Sequence, residues 1–225
     1  MIVATTIEQA HQALGMAASS PVQVSSGDLV LRSATEQAGW QRLADAPFDV
    51  QMRLDVDRAE PPALPPGYRL RSVAVDDDLV GAHRASWSPP QLPFAEAMAP
   101  MIDPEATSGF DAVRLAAAQS SDGYELAAHP AVEAPDGELA ASCIAWHGPT
   151  IDVTSIESLG VHPDHRRLGL AGALTLGTAA QAREREIGYV VIHPRGDDAY
   201  PAPRLAYRRV GFVAGDRTEL YVAPH

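Results

Sequence analysis

Cysteine is nearly absent: Cys143 is the single one in 225 residues. That excludes an internal disulfide framework and any cysteine-rich metal site. Its surroundings, LAASCIAW, read as a buried strand, so Cys143 is expected to be a small core residue. Lysine is missing altogether. All 17 basic residues are arginine against 29 acidic ones, for a formal charge of −12. Nucleic acid is a poor partner for such a chain, because a phosphate-binding surface needs net positive charge. The acidic balance is compatible with a cationic substrate such as an amine, and equally with plain solubility. Long apolar runs are missing too. No segment reaches the roughly 18 residues of a membrane span, and the opening residues carry no basic leader followed by an apolar run. The expectation is a cytoplasmic protein with no membrane partner.

What is present is enough apolar material, 46% of residues, to bury a core. Thr5 and Glu8 have capping-box spacing, and Ile7, Ala10, Leu14 and Ala17 share a face, which predicts a helix over residues 5–17. Residues 27–33 suggest a strand. A stronger one follows, in which Phe48, Val50, Met52, Leu54 and Val56 alternate with Asp49, Gln51, Arg53 and Asp55. One face of that strand is apolar, so it must lie against something. The prolines of AEPPALPPG cannot continue a helix or a central strand. They make residues 61–66 a linker between an N-terminal arm, 1–60, and a main domain, 67–225. The arm is short for a core of its own. It is expected to pack on the main domain or on a second copy, as in a homodimer.

Beyond the linker the pattern reads strand (68–73), helix (76–87), an irregular Pro- and Met-containing stretch (88–108) and a helix (109–119). A hairpin turning at Pro135-Asp136-Gly137 follows. Then come a strand (152–161), a long helix ending at Gly188, a strand (189–194), a short helix ending at Gly211 and a last strand (219–224). This order predicts an α/β fold of mixed α+β character, with a mixed sheet and helices on both of its faces.

The chemistry concentrates in GVHPDHRRLGLAG, residues 160–172. Pro163 stops strand pairing, and Gly169 and Gly172 let backbone approach a ligand closely. The following helix presents unsatisfied N–H groups and the positive end of its dipole, and Arg166 and Arg167 add charge. Taken alone, Arg-x-x-Gly-x-Ala is either a pyrophosphate seat or a well-packed glycine turn.

A strand ending in LGVHPDHRRLGLAGAL, a long helix, a strand, and AYRRVGF before a final strand together resemble the GCN5-related N-acetyltransferase (GNAT) superfamily. Its loop, (Gln/Arg)-x-x-Gly-x-(Gly/Ala), is matched by Arg166, Gly169 and Ala171. The resemblance runs over about residues 67–224. It implies a mostly antiparallel sheet, splayed between the fourth and fifth strands of the main domain to admit acetyl-CoA. It implies transfer of acetyl to an amine, with acetyl-CoA as co-substrate and no metal. Backbone groups of Leu159, Gly160 and Val161 would pair with the pantetheine arm. Arg166, Arg167, Leu168, Gly169, Leu170, Ala171 and Gly172 would form the pyrophosphate cradle. A backbone N–H of the fourth strand would polarise the thioester carbonyl.

An alkyl ammonium has a pKa of roughly 10, so attack at neutral pH needs a base. Glu157 is the candidate. Strand periodicity puts it on one face with Val161, and cover by helix or substrate is expected to raise its pKa. Ser155, two residues earlier, could hold a relay water. Tyr207 occupies the family's general-acid position, four residues before Gly211. Where the family often has an asparagine contacting the cofactor, seven residues before this tyrosine, the chain has Tyr200. His162 and His165 read as surface residues and His193 as a strand-end residue that is either packed or site-lining. Trp87 and Trp146 are core residues or walls of the acceptor pocket. The arm resembles the junction of tandem acetyltransferases, where a degenerate first copy ends before a Pro-rich linker; an ordinary sheet-extending arm explains the same residues. The expected function is acetylation of a small-molecule primary amine. A catalytically silent acyl-CoA-binding module is the alternative.

Overall fold

A strand with one apolar face must lie against a core, and the alternation of residues 48–56 meets that demand from inside the sheet. The computed structural model describes residues 22–44, 46–121, 124–147 and 152–224. The helix expected over 5–17 lies outside them. Among the described residues, nine strands form one sheet in the order β1-β9-β3-β8-β7-β6-β5-β4, with β2 pairing β9. The strands are β1 (Val22–Ser25), β2 (Gln41–Arg42), β3 (Val50–Asp55), β4 (Arg69–Ser72), β5 (Pro130–Glu133), β6 (Leu139–His147), β7 (Val153–Val161), β8 (Tyr189–Ile192) and β9 (Val213–Val222). All the pairings are antiparallel except β7 with β8. A parallel pair needs a crossover, and here the long helix Leu170–Glu184 supplies it.

The helices are α1 (Leu29–Gln37), α2 (Leu79–Trp87), α3 (Ala112–Gln119), α4 (Leu170–Glu184) and α5 (Ala202–Arg209). Asp28, Asp78 and Asp111 accept from backbone N–H groups of the first turns of α1, α2 and α3, which satisfies donors that a helix start leaves free. The strand expected over 27–33 is therefore a helix. Leu-Val-Leu is too short an apolar run for periodicity to decide. The Asp28 cap and the burial of Leu31 and Ala34, with Leu29 70% exposed, settle it as helical.

The main core joins Met52 and Leu54 of β3 to Ile156 and Leu159 of β7, Leu170 and Leu174 of α4, and Tyr207 of α5. A second cluster joins Val22, Val24, Leu31, Ala34, Trp40 and Tyr221 across β1, α1 and β9. Gly160 turns its α-carbon toward α2, where a Cβ would sit 2.6 Å from Ser86 Cβ. Helices thus cover both faces. Gly177 permits a similarly close approach of α4 to Leu70, 2.7 Å from where a Cβ would be. No helix among the described residues is long and apolar enough to cross a membrane.

β3 lies between β8 and β9, with Met52 opposite Ile192 and Leu54 opposite Val190. Residues that precede the proline-rich stretch therefore fill the sheet interior. Leu54→Ala should cost about 2–5 kcal/mol, comparable to Leu174→Ala in the main core. Urea denaturation measures both. A near-zero loss for Leu54→Ala would show that β3 is not seated there in solution.

Candidate active site

The pairing of β7 with β6 contains an irregularity. Ser142 opposes Gly160 and Ile144 opposes Glu157, so β7 carries one residue more than β6 over this span. Ser158, at φ 52°, absorbs it as a β-bulge. The extra residue reverses the side-chain parity. Leu159 and Val161 turn to the core beneath α4 together with Ile156. Glu157 is exposed on the other side. The expectation that Glu157 and Val161 share a face is thus overturned, because simple alternation does not survive a bulge.

Parallel pairing of β7 with β8 runs from Val153↔Tyr189 to Ile156↔Ile192 and stops there. Beyond Ile156, Leu159, Gly160 and Val161 have no β8 partner, and the two strands part. A cavity of about 550 Å³ occupies the parting. Glu157, Ser158, Leu159, Tyr200 and Tyr207 line it, with Trp87 and Phe94 adding apolar wall. Ser155 is not among its lining residues.

Tyr207 is 5% exposed, and burial raises its phenol above the ordinary value. Its hydroxyl keeps its proton at neutral pH and can donate it as a hydrogen bond. Burial also raises Tyr200, whose ring lies 5.0 Å from that of Phe94. His193 lines the same cavity, with Nε2 3.4 Å from Gln51 Nε2. Burial lowers its pKa, against the opposing charge of Glu157, so the imidazole is neutral at physiological pH.

The loop leading to α4 divides its work differently from the expectation. Arg166 does not aim at an anion: its guanidinium donates to the carbonyls of Val161 and Ser86, both at 3.3 Å, and of Gln91. It ties β7 to α2 and to the segment that follows α2. Arg167 and Leu168 are exposed, and Arg167 has φ 64°. Gly169, at φ 79°, begins α4 with no side-chain cap and with open space where a Cβ would be. The backbone N–H groups of Leu170, Ala171 and Gly172 precede the first intrahelical bond, Ala173 N–H to Gly169 carbonyl. They are left for solvent or an anion. The Leu170 side chain itself is buried in the core.

Gly172 serves packing rather than ligand approach. A Cβ there would lie 2.8 Å from Val210 Cγ1, so the missing side chain lets α4 close on the end of α5. His165 Nδ1 is 2.9 Å from the Tyr68 hydroxyl, and His162 caps its own turn by accepting from Asp164 N–H. Burial pushes the Cys143 thiol up to about 12, as befits a core residue. Trp146 packs with Tyr124 and His129, away from the cavity.

Sequence reasoning missed the far wall. Gln23, Ser25, Asp49, Arg195 and Thr218 line it, toward β1 and β9. The available signal was the polar half of the β3 alternation: in an interior strand that half has to face a cavity or a packed neighbour.

The model of the acetyltransferase (GNAT) family matches residues 94–212. Mycothiol acetyltransferase of Saccharomonospora viridis is 29% identical over 157 residues, which is 67% of this chain and 47% of that protein. The protein of the same name from Cellulomonas flavigena is 28% identical over 186 residues, 77% of this chain and 49% of its own length. The chain spans about half the length of these curated relatives. Among solved structures, a GCN5-related N-acetyltransferase from Sphaerobacter thermophilus superposes with a TM-score of 0.62 at 18% identity. That match covers 95% of this chain and 64% of the other.

The two arginines of the loop should separate experimentally. Arg166→Ala should lose about 1.5–3 kcal/mol of stability, since charged donors leave three carbonyls. Arg167→Ala, at an exposed site, should stay within about 0.5 kcal/mol of wild type. Equal losses in denaturant melts would contradict the tethering role of Arg166.

Proposed function

Because this chain belongs to the acetyltransferase (GNAT) family, we propose that it moves acetyl from acetyl-CoA to a primary amine of a small molecule. The observation that carries the reading is the parting of β7 from β8, with Glu157 and Tyr207 both lining the cavity it opens. The cavity size, about 550 Å³, falls in the range of small-ligand sites. Acetyl-CoA fits the residues in two places. The pantetheine arm would lie along Leu159–Val161, where β7 has lost its β8 partner. The pyrophosphate would sit on the free amides that follow Gly169, at the positive end of α4.

The chemistry then follows from the groups present. Glu157 takes a proton from the ammonium, directly or through water, leaving the nitrogen lone pair free. The nitrogen attacks the thioester carbonyl, and a β7 backbone N–H donates to the oxygen as negative charge builds there. The carbon–sulfur bond breaks as the amide forms. Tyr207 donates its proton to the departing thiolate and regains one from the nitrogen's surplus proton, while Glu157 releases its proton to solvent. Neutral His193, beside Glu157, offers a second proton acceptor on the exit route.

Thiol release from acetyl-CoA over a panel of small amines tests the reading. Glu157→Gln and Tyr207→Phe should each lower kcat/KM about 10²-fold or more, the usual contribution of a positioned acid or base. The Glu157→Gln loss should shrink as pH rises and free amine accumulates. Wild-type turnover in both variants would overturn the assigned roles. Binding of CoA with no turnover on any amine would assign the silent acyl-CoA-binding module instead.

A further inference from the structure

Two carboxylates face the cavity, Glu157 from β7 and Asp49 from the residue before β3. Neither has an ion-pair partner among the described residues. The cavity's arginine, Arg195, does not neutralise them: its Nε donates to both oxygens of Asp197, at 2.7 and 2.8 Å. His193 stands between the two carboxylates and is neutral. The backbone of Asp49 is fixed from both sides. Its N–H donates to Thr218 Oγ1 at 2.9 Å, and its carbonyl accepts from Thr218 N–H at 2.7 Å. Asp49 is further held by a bridge to Arg195 at the end of β8.

We propose that Asp49 is an acceptor-specificity residue that holds a second ammonium group, so that the preferred acceptor is a linear diamine rather than a monoamine. The proposal rests on the acetyl-transfer reading and extends it to the far end of the same cavity. β8 separates β7 from β3, and β7 has begun to part from β8 at Glu157, so the two carboxylates stand at least two strand spacings apart, roughly 10 Å or more between backbones. Both side chains line the cavity between them, and the separation calls for an extended aliphatic diamine. One nitrogen loses its proton at Glu157 and reacts. The other stays charged at Asp49 and fixes the chain. Burial holds the Asp49 carboxyl above the ordinary carboxylate range, against the pull of Gln23 and Arg195. A carboxylate so desolvated, with Arg195 near it but paired to Asp197 rather than to it, gains from a cation supplied by the ligand.

Cadaverine and pentylamine differ only in the second amine and are the probes. Wild-type KM for cadaverine should lie about 10-fold below that for pentylamine, the worth of one partly desolvated ion pair of about 1.4 kcal/mol. In Asp49→Asn the ratio should collapse to about one, and in Asp49→Glu it should largely survive. Equal KM values in wild type, or a ratio unchanged in Asp49→Asn, would overturn the proposal. Calorimetric titration of each amine into the protein reads the same ratio without turnover. If no amine is acetylated, the proposed function fails on its own. Tighter cadaverine binding that depends on Asp49 would then still support the subsite, and indifference to Asp49 would refute it.

Discussion

The parallel pairing of β7 with β8 ends at Ile156 and Ile192, while β7 stays paired with β6 as far as Val161. Each feature of the site depends on that difference. A strand held on one side only keeps its course but offers an open edge, and the extra residue at Ser158 sharpens its twist away from β8. The same bulge sends Leu159 and Val161 into the core and leaves Glu157 on the cavity wall. The parting persists because both strands are fixed elsewhere. β6 and the Arg166 tether hold β7, and β3 holds β8.

The position of β3 links the N-terminal residues to the site. Wedged between β8 and β9, it buries Met52 and Leu54 on one face. Its other face, with Asp49 just before it, brings Gln51 to His193 and a carboxylate to the cavity. Core packing and cavity lining therefore draw on opposite faces of one segment. A substitution meant to probe acceptor binding there is best made on the polar face.

Much of this architecture was legible in the sequence because it rests on local rules. Alternation marks β3, and Gly137 marks the hairpin turn, with φ 94°. The family resemblance singled out the loop before α4, and there Gly169 has a left-handed backbone with open space beside it. The remainder was hidden for physical reasons. A bulge leaves no mark in composition, so the parity of Glu157 and Val161 was misread. A glycine that admits a ligand and one that admits a helix have the same letter, and only Val210 beside Gly172 tells them apart. Arg166 reads as a free charge until the carbonyls of Ser86 and Gln91 are seen around it. Asp49 joins the cavity through pairings with residues far along the chain, at Arg195 and Thr218, which no local pattern encodes.

The most direct measurement of the proposed cofactor path is hydrogen–deuterium exchange at backbone amides with and without CoA. Protection on binding is expected in two separate segments, Leu159–Val161 along the open edge of β7 and Gly169–Gly172 at the start of α4. The β4–β5 edge of the sheet, remote from the parting, should be unchanged. Saturating CoA that binds yet protects neither segment would contradict the placement of the cofactor between β7 and β8.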